Sequence, residues 1–159
     1  MTAGPTLDRI DRRIVAALQA DARLTNQALS ERVALSPSAC LARVRRLERE
    51  GVIQGYHARL DPFTVDVGLV LYADITLAGH TPAELARFEE AIAALPQVVE
   101  ASHVTGSFDY ILKVVVGDMR EWTQIAETLG SGGLGIDRIN THVVMRKPKL
   151  FVGYPVKDR

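Results

Sequence analysis

Residues 36–50 read SPSACLARVRRLERE, a helix with both of its ends marked. Ser36 is a strong N-cap, and Pro37 suits the first helical position, where its missing N–H costs nothing. Gly51 stands just past Glu50, where a left-handed residue commonly closes a helix. On a helical wheel Pro37, Cys40, Leu41, Val44 and Leu47 gather on one face. Ser38, Ala39, Ala42, Arg45, Arg46 and Arg49 lie opposite, with Arg43 on the flank. Small residues at the N-terminal end of that second face allow close entry into a DNA major groove. The arginines can neutralise phosphates or take a guanine edge. Cys40 falls on the apolar face and reads as a small buried residue, not a nucleophile.

Two helices precede this one. The first spans about residues 7–21, with Ile10, Ile14, Ala17 and Leu18 as its apolar stripe and Arg9, Asp11, Arg12 and Arg13 off that stripe. The second opens near Thr25 or Asn26, both able to cap, with Leu29 and Val33 on its apolar side. Ala34-Leu35 is a short break, and the second and third helices so spaced form a helix-turn-helix. The candidate DNA contacts are Thr25, Asn26, Ser36, Ser38, Ala39, Arg43, Arg45, Arg46 and Arg49.

Charge supports that division. The chain of 159 residues carries 19 basic and 19 acidic residues, yet residues 1–60 hold ten arginines against six carboxylates, and the remainder is correspondingly acidic. A +4 segment on a −4 remainder points to a polyanion partner, double-stranded DNA, for the first part alone. No apolar run is long enough to cross a membrane. The stretch MTAGPTLDRIDRR has neither the apolar region nor the cleavage site of a secretory signal. One cysteine allows no internal disulfide and fits a reducing compartment. The expectation is a cytoplasmic, nucleoid-associated protein with no membrane partner. The four histidines give no metal-ligand spacing, so neither a metal nor a catalytic residue is assigned.

Beyond Leu60 the pattern changes. Asp61-Pro62 breaks the helical reading, and residues 58–66 are taken as a linker between a helix-turn-helix domain over 1–57 and a second domain over 67–159. Leu69, Leu71, Ala73, Ile75 and Leu77 alternate as a half-buried strand. Thr81-Pro82-Ala83-Glu84 is a capping box opening a helix that ends at Pro96. Val98–Thr105 reads as a strand, Gly106–Asp109 as a tight turn, and Tyr110–Val116 as a strand. Asp118 and Glu121 cap a second helix carrying Met119, Trp122, Ile125 and Leu129. Ile136–Met145 is a further strand, and Leu150–Gly153 reads as a short fifth. The order is βαββαβ, a ferredoxin-like α+β sandwich whose helices cover one sheet face. Side chains on both strand faces are largely apolar, so the open face is expected to be covered by dimerisation.

The stretch LDRIDRRIVAALQADARLTNQALSERVALSPSACLARVRRLEREGVIQGYHARLDP resembles the DNA-binding half, a winged helix-turn-helix, of the Lrp/AsnC regulators of prokaryotes. VTGSFDYILKVVV and THVVM resemble that family's amino-acid-sensing domain, and the resemblance covers about residues 7–147. It implies a transcription regulator, not an enzyme, that assembles as a dimer and further as an octamer of four dimers. It also implies a small amino-acid effector and no cofactor. The effector contacts it implies are Thr105, Gly106, Ser107, Asp109, Tyr110, Met119, His142, Val143 and Val144. The chemistry of the turn agrees: Gly106 leaves backbone N–H groups open to a carboxylate, and Asp109 can pair with an α-ammonium. Read from spacing alone, the same Gly and Asp only shape a turn. An amino-acid-metabolising enzyme lacks support, since there is no phosphate loop or nucleophile elbow, and His103 with Asp109 is a poor basis for an acid/base pair. A protein-binding three-helix module is opposed by the charge split.

Overall fold

The computed structural model describes residues 6–65 and 67–156. The first five and last three residues of the expected domains, and Asp66 of the expected linker, lie outside it. The described residues form two compact units, one over 6–58 with 149–156 and one between 59 and 148.

The first unit packs three helices: α1 (Arg9–Ala20), α2 (Asn26–Val33) and α3 (Pro37–Arg49). Each begins on a side-chain cap. Asp8 accepts from the Asp11 N–H, Thr25 from Ala28, and Ser36 from Ala39. Ala34 turns the chain between α2 and α3 in the left-handed conformation (φ 58), and Gly51 (φ 70) takes the chain out of α3. The core is Ile14, Ala17, Leu18, Leu29, Val33, Cys40 and Leu47. Burial is thus the role of Cys40, and it pushes the thiol pKa up. Residues 54–61, after α3, carry no regular structure.

The second unit holds β1 (Leu69–Leu77), α4 (Pro82–Ala93), β2 (Val98–His103), β3 (Tyr110–Val116), α5 (Met119–Ser131) and β4 (Ile136–Val143). They make one antiparallel sheet in the order β2-β3-β1-β4, the ferredoxin-like arrangement expected. The capping box at Thr81 and Glu84 forms, as does the Asp118 cap. Leu71, Ala73, Ile75 and Leu77 meet Tyr110, Leu112, Val114 and Val116 beneath Phe88, Ile92, Trp122 and Leu129. The Trp122 indole N–H donates to Thr141 Oγ1 at 2.9 Å, tying α5 to β4.

Two expectations are corrected here. Leu150–Gly153 is not a strand, and β4 ends at Val143. Residues 149–156 group with the first unit. The reason is Gln19, whose side-chain amide imitates a strand neighbour. Its Nε2 donates to the Tyr154 carbonyl at 2.7 Å, and its Oε1 accepts from the Tyr154 N–H at 2.8 Å. A glutamine on an exposed helix face carries no mark of such a role in the sequence.

Gln19→Ala should therefore raise hydrogen–deuterium exchange at the Tyr154 amide by roughly tenfold, while the amides of β1 and β3 stay protected. Unchanged exchange at Tyr154 would mean that other contacts hold this segment.

Candidate DNA-binding face and effector site

The arginines of α3 divide into two sets. Arg43 Nη1 lies 2.6 Å from Asp8 Oδ2 and 2.9 Å from Asp11 Oδ1, and Arg46 Nη2 lies 2.6 Å from Asp11 Oδ2. Asp11 is 1% exposed. Its Oδ2 also accepts from the Asp8 N–H at 3.1 Å, closing a reciprocal cap at the start of α1. Burial alone would push the Asp11 carboxyl up. The Arg46 contact, the Asp8–Asp11 backbone bond and Arg43 outweigh it and hold the group below the ordinary carboxylate range.

This corrects the helical wheel of α3. Only Cys40 and Leu47 of the expected apolar face are buried, Val44 is half-buried, and Pro37 and Leu41 are exposed. The face against α1 is turned toward the arginine side because a buried carboxylate there requires cations. Asp11 itself lies on the inner stripe of α1, not off it. Its spacing to Ile14 and Leu18, three and seven residues on, was the available signal.

What remains outward on α3 is Ser38, Ala42, Arg45 and Arg49, at i, i+4, i+7 and i+11 along one exposed stripe. Ala39 is exposed beside it, and Ser36 Oγ lies 3.2 Å from Ser38 Oγ. Asn26 ties the starts of α2 and α3 together, its Nδ2 donating to the Pro37 carbonyl at 2.8 Å. Thr25, Asn26, Ser36, Ser38 and Ala39 therefore collect where two helix N-termini meet. Helix starts present unpaired N–H groups and positive dipole ends, which suit phosphate.

The expected effector residues divide as well. The turn over 104–109 is shaped by backbone bonds from Val104 N–H to the Asp109 carbonyl and from Asp109 N–H to Ile75, each 2.8 Å. Thr105, Gly106 and Ser107 are exposed, and Gly106 sits at φ 138 with open space where a Cβ would stand. The Asp109 carboxylate accepts from the Leu77 N–H at Oδ2 (2.7 Å) and lies 2.9 Å from His80 Nε2 at Oδ1. The Leu77 bond, then His80, hold its pKa down against burial. Tyr110 turns away from the turn into the core. It is 2% exposed, stacks on His103, and donates its hydroxyl to Glu89 at 2.8 Å. Burial and Glu89 push its pKa up to about 12.

Met119, His142, Val143 and Val144 lie elsewhere. Tyr110 pairs with Ile75 at one end of β1, whereas Val116 pairs with Leu69 at the other. His142 pairs with Tyr72 and Val143 with Leu71, toward that second end, and the Val144 N–H donates to Val70. Met119 opens α5 just after β3 ends there and is exposed. Six residue steps separate the ends of β3, about 20 Å at a strand's rise. One protomer does not bring the two groups into one cleft. His142 is further occupied by Asp74, 2.8 Å from its Nε2. His80 was missed in the sequence because nothing in a loop histidine signals a carboxylate across the sheet end.

Comparison with known proteins places a family on each half of the chain. Residues 7–54 match the family described as winged helix-turn-helix DNA-binding, and residues 70–152 the one described as Lrp/AsnC ligand binding domain. The leucine-responsive regulatory protein of Escherichia coli is 44% identical, over 98% of this chain and 95% of that protein. A crystal structure of an AsnC family transcriptional regulator from Agrobacterium tumefaciens superposes with TM-score 0.84 at 32% identity, over 94% of this chain and 97% of that one. A transcriptional regulator in complex with L-Met from Neisseria meningitidis superposes with TM-score 0.85 at 34% identity, with the same coverage.

Removing the charge of Asp11 tests its place in this arrangement. Asp11→Asn should destabilise the helical unit by about 1–3 kcal/mol at neutral pH, the cost of leaving buried groups mispaired. A carboxyl whose folded pKa is lowered stabilises above its unfolded value near 4 and loses that contribution as pH falls through the lower folded value. Melting curves from pH 6 to 3 should thus fall more steeply in the wild type than in Asp11→Asn. Parallel curves would mean that Asp11 is not the group titrating.

Proposed function

This chain belongs to the Lrp/AsnC family of transcriptional regulators, and from that premise we propose how its two units divide the work. The first unit binds double-stranded DNA through α3. The observation that carries this reading is the exposed stripe of Ser38, Ala42, Arg45 and Arg49 beside the joined starts of α2 and α3. Ser38 and Ala39, in the first turn, approach base edges. Arg45 and Arg49 neutralise phosphates, and Thr25 and Ser36 add helix-start contacts. Arg43 and Arg46 serve DNA indirectly, by fixing α3 against α1.

The second unit senses a small amino acid. An L-Met complex of a similar regulator and the leucine-responsive name of another supply the ligand class. Gly106 and its exposed neighbours offer N–H groups to the carboxylate. Met119, Val143 and Val144 offer apolar contacts. Because these groups sit at opposite ends of one sheet, a cleft using both is built from two protomers. Assembly in even numbers follows, a dimer at least and an octamer of four dimers by family resemblance. The open sheet face, with Tyr72, Ile111 and Val115 half-buried, is the surface on which the dimer closes. Effector binding then shifts assembly or DNA affinity, and no cofactor is needed.

Salt titration of binding to random duplex separates the two sets of arginines. Arg45→Ala should reduce the slope of log K against log salt by about 0.9, one phosphate contact. Arg43→Ala should instead lower the melting temperature. An unchanged slope for both Arg45→Ala and Arg49→Ala would remove this face from the interface.

A further inference from the structure

We infer that His80 occupies, in the ligand-free chain, the place on Asp109 that an amino acid's α-ammonium takes when it binds, so that His80 competes with the effector and sets its affinity. This rests on the amino-acid reading above and adds to it a residue which that reading does not use.

Three observations converge. First, the Asp109 carboxylate has one committed oxygen and one exchangeable one. Oδ2 accepts the Leu77 backbone N–H at 2.7 Å, a bond that joins the ends of β1 and β3 and is not available to a ligand. Oδ1 faces His80 Nε2 at 2.9 Å. Second, the two partners differ in exposure. The His80 side chain is 58% exposed and that of Asp109 19%. An imidazole so open to water can swing out and be hydrated, whereas the carboxylate stays where the strands hold it. Third, the chemistry matches. An imidazole N–H and an ammonium N–H donate to a carboxylate oxygen at the same distance, so one can replace the other without moving the acceptor.

His80 follows Gly79 in the loop between β1 and α4, and the capping box at Thr81 fixes the chain immediately after it. Its side chain is therefore the part that moves. An incoming amino acid places its carboxylate on the N–H groups of the Gly106 turn and its ammonium on Oδ1, and the imidazole is released to solvent. No covalent step occurs. The ligand exchanges one charge-assisted hydrogen bond for another, and its net gain is smaller than it would be on an unoccupied carboxylate. A ligand without an ammonium has no reason to displace His80.

The test compares the full-length wild type with His80→Ala, an exposed substitution outside the core. Each protein is titrated calorimetrically with every proteinogenic amino acid. A second titrant is 4-methyl-2-oxopentanoate, which keeps leucine's carboxylate and apolar chain but lacks the ammonium. Any amino acid that binds the wild type should bind His80→Ala roughly tenfold tighter, the worth of one competing charge-assisted bond. The keto acid should show no difference between the two proteins. Equal or weaker affinity of His80→Ala for every amino acid that binds overturns the displacement and leaves the amino-acid reading standing. A lowered melting temperature with unchanged affinity reduces His80 to a loop staple. If no amino acid binds either protein while both still bind DNA, the amino-acid reading itself fails, and this inference with it.

Discussion

A carboxylate taken out of water must be matched by cations, and in this molecule that requirement fixes how the DNA-facing helix is turned. The Asp11 side chain is inside the three-helix unit, and both of its oxygens are met by guanidinium groups of α3. Leaving such a charge unpaired would cost several kcal/mol, a large share of a domain's stability. Helix α3 therefore cannot rotate freely about its axis, because Arg43 and Arg46 must stay on α1. Once those two point inward, Ser38, Ala42, Arg45 and Arg49 are left facing out, and the joined starts of α2 and α3 lie beside them. The face proposed for DNA is what remains after the inner pairing is satisfied.

The sensing unit follows from a different constraint, the register of its sheet. Antiparallel pairing of β1 with β3 and β4 carries the 104–109 turn to one end and Met119 to the other, with His142 opposite Tyr72 near the middle of β1 and Val143 and Val144 beyond it. Loop rearrangement does not close the roughly 20 Å along β3 that separates the turn from Met119. The effector site proposed above therefore draws on two protomers. In that proposal, oligomerisation serves sensing and also covers the open sheet face.

Most of this architecture was legible in the sequence because periodicity and caps carry it. Ser36-Pro37, Thr81-Pro82 with Glu84, and Asp118 mark helix starts by local chemistry. Alternation placed β1 and β3 correctly. What failed was long-range. Asp11 reads as polar and outward by residue type, although its spacing to Ile14 and Leu18 puts it on the inner stripe. The wheel of α3 then ran the wrong way round its arginines, because hydrophobicity alone ignores a buried charge on a neighbour. Tyr110 is in the effector set that the resemblance implies, and in the strand its side chain points opposite to Ile111 and falls under α4 beside Phe88. The docking of residues 149–156 depends on Gln19, more than a hundred positions away, and no local pattern announces it.

Asp11 and Asp109 show how one residue type serves stability in one place and exchange in another. Each carboxylate is held below its ordinary pKa, and each accepts from a backbone N–H. Asp11 is sealed, and its cationic partners are anchored on a packed helix, so every exchange would first break the core. Asp109 has one oxygen anchored in the sheet and the other facing a histidine that water reaches freely. Anchoring one oxygen keeps the carboxylate in place during any change of partner, and exposure of the other partner makes the change cheap. A lowered pKa alone does not distinguish a structural charge from a binding one. The distinction lies in whether the partner can leave without exposing apolar surface, which at Asp11 it cannot and at Asp109 it can.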